Sequence, residues 1–332
     1  MNAPQFLTDY ARLCEPRLRE YLDRKGARFA WLPVDLRPAH ALLRDYALRG
    51  GKRIRGALVM LTGGEGALDA SVGMELLHAY LLIHDDFMDR DQTRRGGPTL
   101  HASLSRSAGE HIGGSVAILL GSLCQAWAYE LVLSSPGRAR EAAKVLTDAL
   151  QEVIVGQALD LLAPLGPELG PAGVLEVQRM KTGSYSFELP LKLGAVLAGA
   201  KPEVLEALSR FARPLGQAFQ IADDLLGTFG SSDVTGKPNA SDLREGKRTL
   251  LIARALAAAT GEDAAVLRAG LGNPDADPEK LRAILRRSGA VDAARTEAER
   301  LCNEALEALD AVPPQIAERL REIALYSVQR AL

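Results

Sequence analysis

The sequence predicts an all-α fold in a single domain, on the basis of composition, periodicity and continuity. Leu, Ala, Arg and Glu dominate the 332 residues, and the alternation of β-branched residues that marks strands is nearly absent. Apolar residues recur at helical spacing in almost every window. No low-complexity linker and no repeat of fixed period divides the sequence. We therefore expect one helical bundle over residues 1–332 with a continuous core.

The amino-terminal half is predicted to consist of long helices separated by glycine-containing breaks. Gly50-Gly51 ends the second helix, and the turn Gly96-Gly97-Pro98 follows a long helix that ends in charged residues. The segment over residues 115–132 is apolar nearly all round, so we expect a helix that crosses the core. The helices predicted for this half cover residues 4–25, 38–49, 52 onward, 67–89 and 115–132.

The carboxy-terminal half continues the helical pattern with more frequent breaks. Pro136, Pro164, Pro167 and Gly170 interrupt the apolar periodicity, and a polar loop over residues 230–239 carries further glycine and proline. Shorter, charged helices are expected to complete the chain. The longer helices predicted for this half cover residues 138–162, 172–181, 185–200, 202–226 and 247–259.

Composition and charge exclude several classes of protein. Hydrophobic residues make up 47% and charged residues 25%, the balance of an ordinary globular protein. The net charge of -2 gives no general attraction for nucleic acid, so anionic ligands would need local clusters of Lys and Arg. Cys14, Cys124 and Cys302 form no zinc-ligand or disulfide pattern, which fits a reducing cytoplasm. The start lacks a basic segment, and no apolar stretch reaches roughly 18 residues, so we expect neither a signal peptide nor a membrane span.

An acidic cluster ends the long predicted helix, where Asp85, Asp86 and Asp89 follow an apolar run. Asp85 and Asp89 are four residues apart and project from one helix face, about 5–6 Å apart at their Cβ atoms. The helix dipole also disfavours each carboxylate at this end by roughly 0.3–1 kcal/mol. A bound Mg²⁺ relieves both penalties and completes its shell with waters and substrate phosphates. The alternative is a solvated acidic helix end.

Two arginines follow this cluster on a tight turn. Arg94 and Arg95 come five and six residues after Asp89, directly before Gly96 and Gly97. A guanidinium offers paired donors that match phosphate oxygens, and the turn lets both side chains fold back over the carboxylates. In isolation such a pair is usually a solvated loop. Beside a metal-binding cluster it favours phosphate binding.

A second acidic cluster repeats the arrangement 138 residues after Asp85. Asp223 and Asp224 follow another apolar helix, and Gln220 lies one turn before Asp224. Two such clusters indicate Mg²⁺ sites on opposite walls of a cavity, which neutralise a departing diphosphate from both sides. Gln220 can bind a ligand or a metal-bound water, and an amide that contacts neighbouring backbone is the equal alternative.

Further basic residues complete the candidate anion sites. Lys52 and Arg55 are three residues apart, and we expect them on one face at the start of a helix, where free N–H groups favour an anion. Single lysines are more often surface residues than site residues. The remaining polar and cationic candidates are Lys181, Thr182, Lys237 and Lys247.

Together these residues closely resemble the trans-isoprenyl diphosphate synthase (polyprenyl synthetase) family, which includes farnesyl and geranylgeranyl diphosphate synthases. The resemblance covers residues 42–249. Residues 51–55 are similar to the GGKRxR motif, 85–89 to the first aspartate-rich motif, 94–99 to the RRGxPT turn, and 223–224 to the second aspartate-rich motif. The resemblance implies an isoprenoid synthase-like bundle around a central cavity.

The resemblance also implies roles for individual residues. The metal ligands would be Asp85, Asp89 and Asp223, holding three Mg²⁺ ions for which Mn²⁺ can substitute, with Asp86 and Asp224 beside them. His78 lies two turns before Asp85 near the same face, although a core histidine is nearly as good an interpretation. The residues implied for isopentenyl diphosphate are Lys52, Arg55, His78 and Arg95. Those implied for the allylic diphosphate are Arg94, Lys181, Thr182, Gln220, Lys237 and Lys247.

The sequence departs from the family pattern at two positions. Gly56 replaces the proline that usually follows GGKRxR, which we expect to loosen that helix start slightly. Gly227 replaces the last aspartate of the second motif, so water or Asp223 must supply that oxygen and the second metal site should be weaker.

The implied reaction is ionisation of the allylic diphosphate, attack by the double bond of isopentenyl diphosphate, and proton loss to the released diphosphate. Tyr80 and Leu81 lie five and four residues before Asp85, about 6–8 Å down the helix axis. The resemblance implies that a bulky aromatic at the position of Tyr80 forms the floor of a product tunnel. Leu81 leaves more room than a second aromatic, which favours a C20 product over C15. An ordinary packed aromatic is the alternative for Tyr80.

Two other functions are compatible with parts of this pattern. A Mg²⁺-dependent terpene cyclase needs no second diphosphate site, so Lys52, Arg55 and Arg95 argue against it. A non-catalytic partner subunit that tunes product length could lose its first aspartate cluster, which this chain keeps. The resemblance further implies a homodimer in the cytoplasm, consistent with the apolar helix over residues 115–132.

Overall fold

The computed structural model describes residues 2–230 and 241–329, and it confirms the all-α class. Short 3₁₀ helices cover Glu65–Ala67, Ala163–Leu165 and Ala308–Ala311, and a π-helix covers Arg179–Glu188. Strands β1 (Thr93–Arg94) and β2 (Gly97–Pro98) form one antiparallel hairpin. The α-helices are α1 Ala3–Ala27, α2 Arg37–Leu48, α3 Ile54–Gly63, α4 Leu68–Met88, α5 Leu100–Ala108, α6 Glu110–Leu133, α7 Ala139–Leu162, α8 Pro171–Gln178, α9 Leu189–Leu197, α10 Pro202–Phe229, α11 Ser241–Glu245, α12 Leu250–Ala258, α13 Gly261–Gly270, α14 Pro278–Arg287, α15 Ala290–Glu307 and α16 Pro314–Gln329.

Most predicted helices are present within a few residues of the expected ends, because apolar periodicity and the Gly and Pro breaks mark those ends in the sequence. The Asn2 side chain accepts a hydrogen bond from the Gln5 N–H at 3.1 Å and so caps α1. The predicted break between residues 181 and 185 is wrong, since the π-helix continues the chain from α8 into α9. Lys237 lies outside the described residues.

The chain divides into two compact units. The first contains residues 1–144 and 190–200, and the second contains residues 145–189 and 201–332. The last eight residues of α9 therefore belong to the first unit, whereas the π-helix that precedes them belongs to the second. The prediction of a single domain stays a prediction.

Helix α4 is the central helix of the first unit. It packs against α1, α2, α3, α5 and α6, and every residue from Ser71 to Tyr80 is buried. Helix α9 approaches α3 closely, because a Cβ at Gly194 would lie 2.2 Å from the Val59 carbonyl oxygen. Thr62 Oγ1 also donates to the Leu191 carbonyl oxygen at 2.9 Å. This dense packing fixes the rotation of α4.

Helix α6 is buried on one face and exposed on the other. Its buried face packs against α4 and α5, whereas Ile112, Leu119 and Leu133 are more than half exposed. The prediction of a core helix is therefore correct only for the face that packs against α4 and α5. By length and composition, α6 and the segment Glu65–Met88 could each cross a membrane, and 44% and 72% of their most apolar windows are buried within the protein. Core helices of soluble proteins often meet the same criterion, so this is weak evidence for a span.

Helix α10 is the corresponding central helix of the second unit. It packs against α15, α16 and the π-helix. A Cβ at Gly216 would lie 2.6 Å from the Cα atom of Gly183, so the two backbones are in direct contact there. The rings of Phe187 and Phe219 meet edge-on with centroids 5.4 Å apart. These contacts hold the end of α10, which carries the second acidic cluster, against the π-helix.

Candidate active site

The first acidic cluster lies at the end of α4, as predicted. The helix ends at Met88, and the Asp89 N–H still donates to the Asp85 carbonyl oxygen at 2.8 Å. Helical register therefore extends through Asp89, and the carboxylates of Asp85 and Asp89 leave from one face, one turn apart. Asp85 and Asp89 are partly exposed, whereas Asp86 is fully buried.

Asp86 fixes the position of this cluster through hydrogen bonds inside the protein. Its carboxylate accepts from Tyr46 Oη at 2.6 Å and from Arg94 Nε. Burial raises the pKa of Asp86, and the positive charge of Arg94 only partly opposes that rise. Because both oxygens are engaged inside the protein, Asp86 orients the end of α4, and Asp85 and Asp89 are the carboxylates available to a ligand.

Arg94 folds back over the carboxylates, as predicted from the turn. Its Nη2 lies 3.1 Å from Asp91 Oδ2 and 3.4 Å from Asp85 Oδ2. Burial opposes its charge, but the neighbouring acidic groups, first of all Asp86, outweigh that effect and raise the pKa of Arg94. Arg94 therefore stays charged next to Asp85, where it can share a phosphate oxygen with a cation.

A cationic cluster lies on the same side of α4, closer to its middle. Arg95 Nη2 and Arg55 Nη1 lie 3.2 Å and 3.5 Å from the same atom, His78 Nε2. Burial, together with the positive charges of Arg55 and Arg95, lowers the pKa of His78 well below 6.5. His78 is therefore neutral, and its Nε2 accepts from the guanidiniums. The interpretation as an ordinary core histidine is incomplete, since His78 orients two arginines.

The turn between β1 and β2 determines where the Arg95 side chain lies. Arg95 and Gly96 have φ angles of 51° and 71°, the pattern of a hairpin turn with two left-handed residues. A Cβ at Gly51 would lie 2.9 Å from Arg95 Cζ, so the glycine allows the guanidinium to lie directly on the backbone beside Lys52. Lys52 is exposed and precedes Arg53, the residue before α3. The prediction that Lys52 and Arg55 share a helix face is wrong, because Lys52 lies before the helix.

The second acidic cluster belongs to the second unit. Asp224 is buried and accepts from Gln178 Nε2 at 2.5 Å and from Gln220 Nε2 at 2.7 Å, so Gln220 contacts a carboxylate and not backbone. Burial, followed by the charge of Asp242, raises the pKa of Asp224 well above 3.8. Asp223 is the partly exposed member of the pair, which suits the metal-ligand role predicted for it.

Asp242, which the sequence did not single out, lies beside Gly227. A Cβ at position 227 would be 2.4 Å from Asp242 Oδ2, so this carboxylate fills the space that a side chain would need. Lys247 is close to the same group, with Nζ at 2.8 Å from Glu245 Oε2 and 3.9 Å from Asp242 Oδ1. The third carboxylate that the second motif lacks in sequence is therefore present from α11. No sequence signal links positions 227 and 242.

Lys181 and Thr182 lie on the π-helix, a rare element that is frequent at functional sites. Lys181 Nζ donates to Asp160 Oδ2 at 2.6 Å. A Cβ at Gly156 would lie 2.4 Å from the Lys181 nitrogen, so α7 lies directly against this backbone. Gly156 and Asp160 are four residues apart on α7, and this spacing in the sequence indicates that they lie on one face of the helix.

Tyr80 and Leu81 occupy the interior of the first unit. Tyr80 is buried, and its ring centroid lies 4.6 Å from that of His84 in an edge-on contact. His84 Nε2 in turn lies 3.0 Å from the Ile118 carbonyl oxygen of α6. Leu81 is partly buried. Tyr80 is thus packed by a neighbour on its own helix.

Comparisons with known proteins agree with this geometry. The polyprenyl synthetase family model matches residues 38–287. The geranylfarnesyl diphosphate synthase of Aeropyrum pernix is 36% identical over 298 residues, which cover 85% of this chain and 91% of the relative. The (2E,6E)-farnesyl diphosphate synthase of Mycobacterium bovis is 33% identical over 84% of this chain and 80% of its own length. The crystal structure of geranylgeranyl pyrophosphate synthase from Corynebacterium glutamicum, complexed with isoprenyl diphosphate and magnesium, matches with a TM-score of 0.89 and 35% identity over 99% of this chain and 100% of that chain.

The neutral state of His78 predicts a specific pH dependence of stability. Below pH 6.5 the unfolded chain binds a proton at this position while the folded protein does not, so the free energy of unfolding should fall as pH decreases. The contribution of His78 is about 1.4 kcal/mol per pH unit below 6.5. Denaturant unfolding of wild type and His78→Gln from pH 7.5 to 5 should show a shallower slope in the variant. His111→Gln, at an exposed histidine of α6, should keep the wild-type slope, and an equal slope in all three proteins would contradict the assignment.

Proposed function

This chain belongs to the polyprenyl synthetase family of prenyltransferases, and we propose that it condenses isopentenyl diphosphate with an allylic diphosphate. The observation that carries this proposal is the separation of two sites on α4. His78, which joins Arg55 and Arg95, and Asp85, which begins the acidic cluster, are seven residues apart and so lie about 10 Å apart along one helix face. One face thus offers cations for one diphosphate and carboxylates for a metal-bound second one.

The carboxylates fit Mg²⁺. Asp85, Asp89 and Asp223 are partly exposed oxygen donors, and Mg²⁺ binds in proteins through one or two carboxylates, waters and substrate phosphates. Within the described part of the chain, no group of three or more acidic, histidine or cysteine side chains lies close enough together to hold a metal ion. When bound, Mg²⁺ supplies positive charge to the diphosphate that leaves.

Different side chains bind the two diphosphates in the proposed reaction. Arg94 stabilises the diphosphate that departs with the electron pair of the allylic C–O bond, and Lys181 and Lys247 are the cations of the second unit for which the family resemblance implies the same ligand. Arg55 and Arg95 hold isopentenyl diphosphate, whose double bond forms the new C–C bond with the resulting cation. A proton then leaves the condensed product, and the released diphosphate is the base that we propose for it. His78 is an unsuitable base because its Nε2 already accepts from the two arginines.

The proposed activity predicts large losses from small changes in the first acidic cluster. Asp85→Asn and Asp89→Asn keep the side-chain shape but remove the charge that binds the metal, so kcat should fall roughly 10²–10³-fold. The assay is incorporation of labelled isopentenyl diphosphate by the purified protein with Mg²⁺ and an allylic starter. Asp35→Asn, at a half-exposed residue before α2, is the matched control and should retain wild-type activity.

The same assay separates the alternatives. A partner subunit that only tunes product length would be inactive alone with both substrates and Mg²⁺. A terpene cyclase would consume the allylic diphosphate without isopentenyl diphosphate. Either result would refute the proposal.

We propose that the product is C20, with C15 as the alternative. The relatives that match this chain are named for different products, so family membership does not assign a length. Support comes from Tyr80, which is buried on α4 against His84, and from Leu81, which is smaller than an aromatic residue. An aromatic ring at this depth would limit chain growth, while Leu81 leaves space beside it.

Tyr80→Ala should lengthen the products if Tyr80 is the floor of the tunnel. Removal of the ring opens space along α4, so mass spectrometry of the extracted products should show a shift above C20. Met74→Ala is the control, because Met74 is also buried but lies on a different side of α4, about 120° around the axis. It should lower the melting temperature without a change in product length. An unchanged distribution in Tyr80→Ala would show that Tyr80 only packs the helix.

We propose a homodimer that pairs through the exposed face of α6. Exposed apolar residues recur on this helix every seven positions, which places them on one face. They are Ile112, Leu119, Ala126 and Leu133. A continuous apolar stripe is typical of a protein–protein contact.

Leu119→Lys should therefore convert a dimer to a monomer in light-scattering measurements, whereas a lysine at the exposed Leu13 of α1 should leave the mass unchanged.

A further inference from the structure

The start of α3 is held by a buried ion pair that lies outside the candidate site. Arg53, the residue before the helix, has a φ of 50°, a left-handed conformation that is uncommon outside glycine. Its guanidinium donates from Nη1 to Glu75 Oε2 at 2.9 Å and from Nη2 to the Ala47 carbonyl oxygen at 3.1 Å. Glu75 belongs to α4 and Ala47 to α2, so Arg53 ties the start of α3 to two other helices.

The second oxygen of Glu75 takes the place of a helix cap. The residue before a helix usually accepts from an early backbone N–H through a side-chain oxygen, but a guanidinium has no acceptor. Glu75 Oε1 accepts instead from the N–H of Gly56, the third residue of α3, at 3.0 Å. One buried carboxylate therefore holds both the residue before the helix and the first turn of the helix itself.

Gly56 allows this arrangement because it has an N–H and no side chain. The proline that the resembling motif carries here has no N–H to donate. A Cβ at position 56 would lie 1.9 Å from Tyr10 Oη and 2.8 Å from Glu75 Oε1, so a side chain would collide with both. Gly56 was expected to loosen the start of α3, and that expectation is wrong, since its N–H is bonded to Glu75 and Tyr10 packs against it.

This buried cluster lies next to the cations assigned to isopentenyl diphosphate. Arg55 lies between Arg53 and Gly56 in the chain, and its guanidinium reaches His78, one turn after Glu75 on α4. Helix α4 thus orients the backbone of this segment through Glu75 and the Arg55 side chain through His78. Lys52 directly precedes Arg53, so its position depends on the same turn.

We propose that Glu75, together with Arg53, is a positioning residue for the isopentenyl diphosphate site, an inference that rests on the proposed function. Charge-assisted hydrogen bonds to a diphosphate require donors in a fixed geometry, and small displacements weaken them. The ion pair and the bond to Gly56 set that geometry for Lys52 and Arg55. Isopentenyl diphosphate should therefore bind more weakly without the pair, while the allylic diphosphate, which uses other cations, keeps its affinity.

The test compares the two substrates in Glu75→Gln full-length protein with Mg²⁺. The KM for isopentenyl diphosphate should rise at least tenfold, while the KM for the allylic substrate and the kcat at saturation change less than threefold. Lys25→Met is the matched control, because it removes another buried cation of the first unit, one that pairs with Glu130 of α6. The control should lower the melting temperature and leave both KM values unchanged.

Two results would overturn the inference. Either unchanged KM values for both substrates in Glu75→Gln or an equal fold rise in both would show that the pair serves stability alone. If Glu75→Gln is not recovered folded, Arg53→Lys gives the same test, with a three- to tenfold rise expected in the KM for isopentenyl diphosphate only. A wild-type protein that transfers no prenyl group refutes the proposed function itself, and the inference falls with it.

Discussion

The rotation of α4 in its packing is the constraint on which the first unit depends. Ten consecutive residues, Ser71 to Tyr80, are buried on all sides, so the helix cannot turn about its axis without the loss of contacts to five other helices. That rotation fixes where Glu75, His78 and Asp85 point. The continuously buried stretch ends five residues before Asp85, so the acidic cluster lies at the less buried end of a rigid helix. A site built this way tolerates little displacement of its donors.

The buried charges near this helix are balanced pair by pair. Arg53 meets Glu75, Arg94 meets Asp86, and His78 is neutral between Arg55 and Arg95. An unpaired charge at such depth would cost several kcal/mol, whereas these pairs offset most of that cost. The residues assigned to ligands lie beside these groups. Asp85 and Asp89 lie at the end of α4, and Arg55 and Arg95 contact His78, which lies about 10 Å before Asp85 along the helix axis, so the helix separates a candidate metal site from a candidate anion site.

The sequence predicted most of the helices and the position of the first acidic cluster at a helix end, because those features leave local patterns. Periodicity and the Gly and Pro breaks located the helices, and the spacing of Asp85 and Asp89 predicted their common face. The residues that were missed act across long stretches of sequence. Asp160 supports Lys181 from another helix, and Asp242 lies beside Gly227. The π-helix was also missed, because its residues are polar and apolar in nearly the order of an ordinary α-helix.

The two glycines that depart from the family pattern have a common physical effect. At each position the missing side chain leaves a space that a group from elsewhere in the chain occupies. Tyr10 and Glu75 close on Gly56, and the carboxylate of Asp242 lies against Gly227. A restored side chain would collide with these groups, since a Cβ would lie 1.9 Å from the nearest atom at position 56 and 2.4 Å at position 227. The effect of each glycine is therefore more than the loss of the side chain that the family motif carries there. At Gly56 the glycine N–H bonds to Glu75, and at Gly227 the carboxylate comes from Asp242. The effect of each glycine can therefore be predicted only when its partner residue is known.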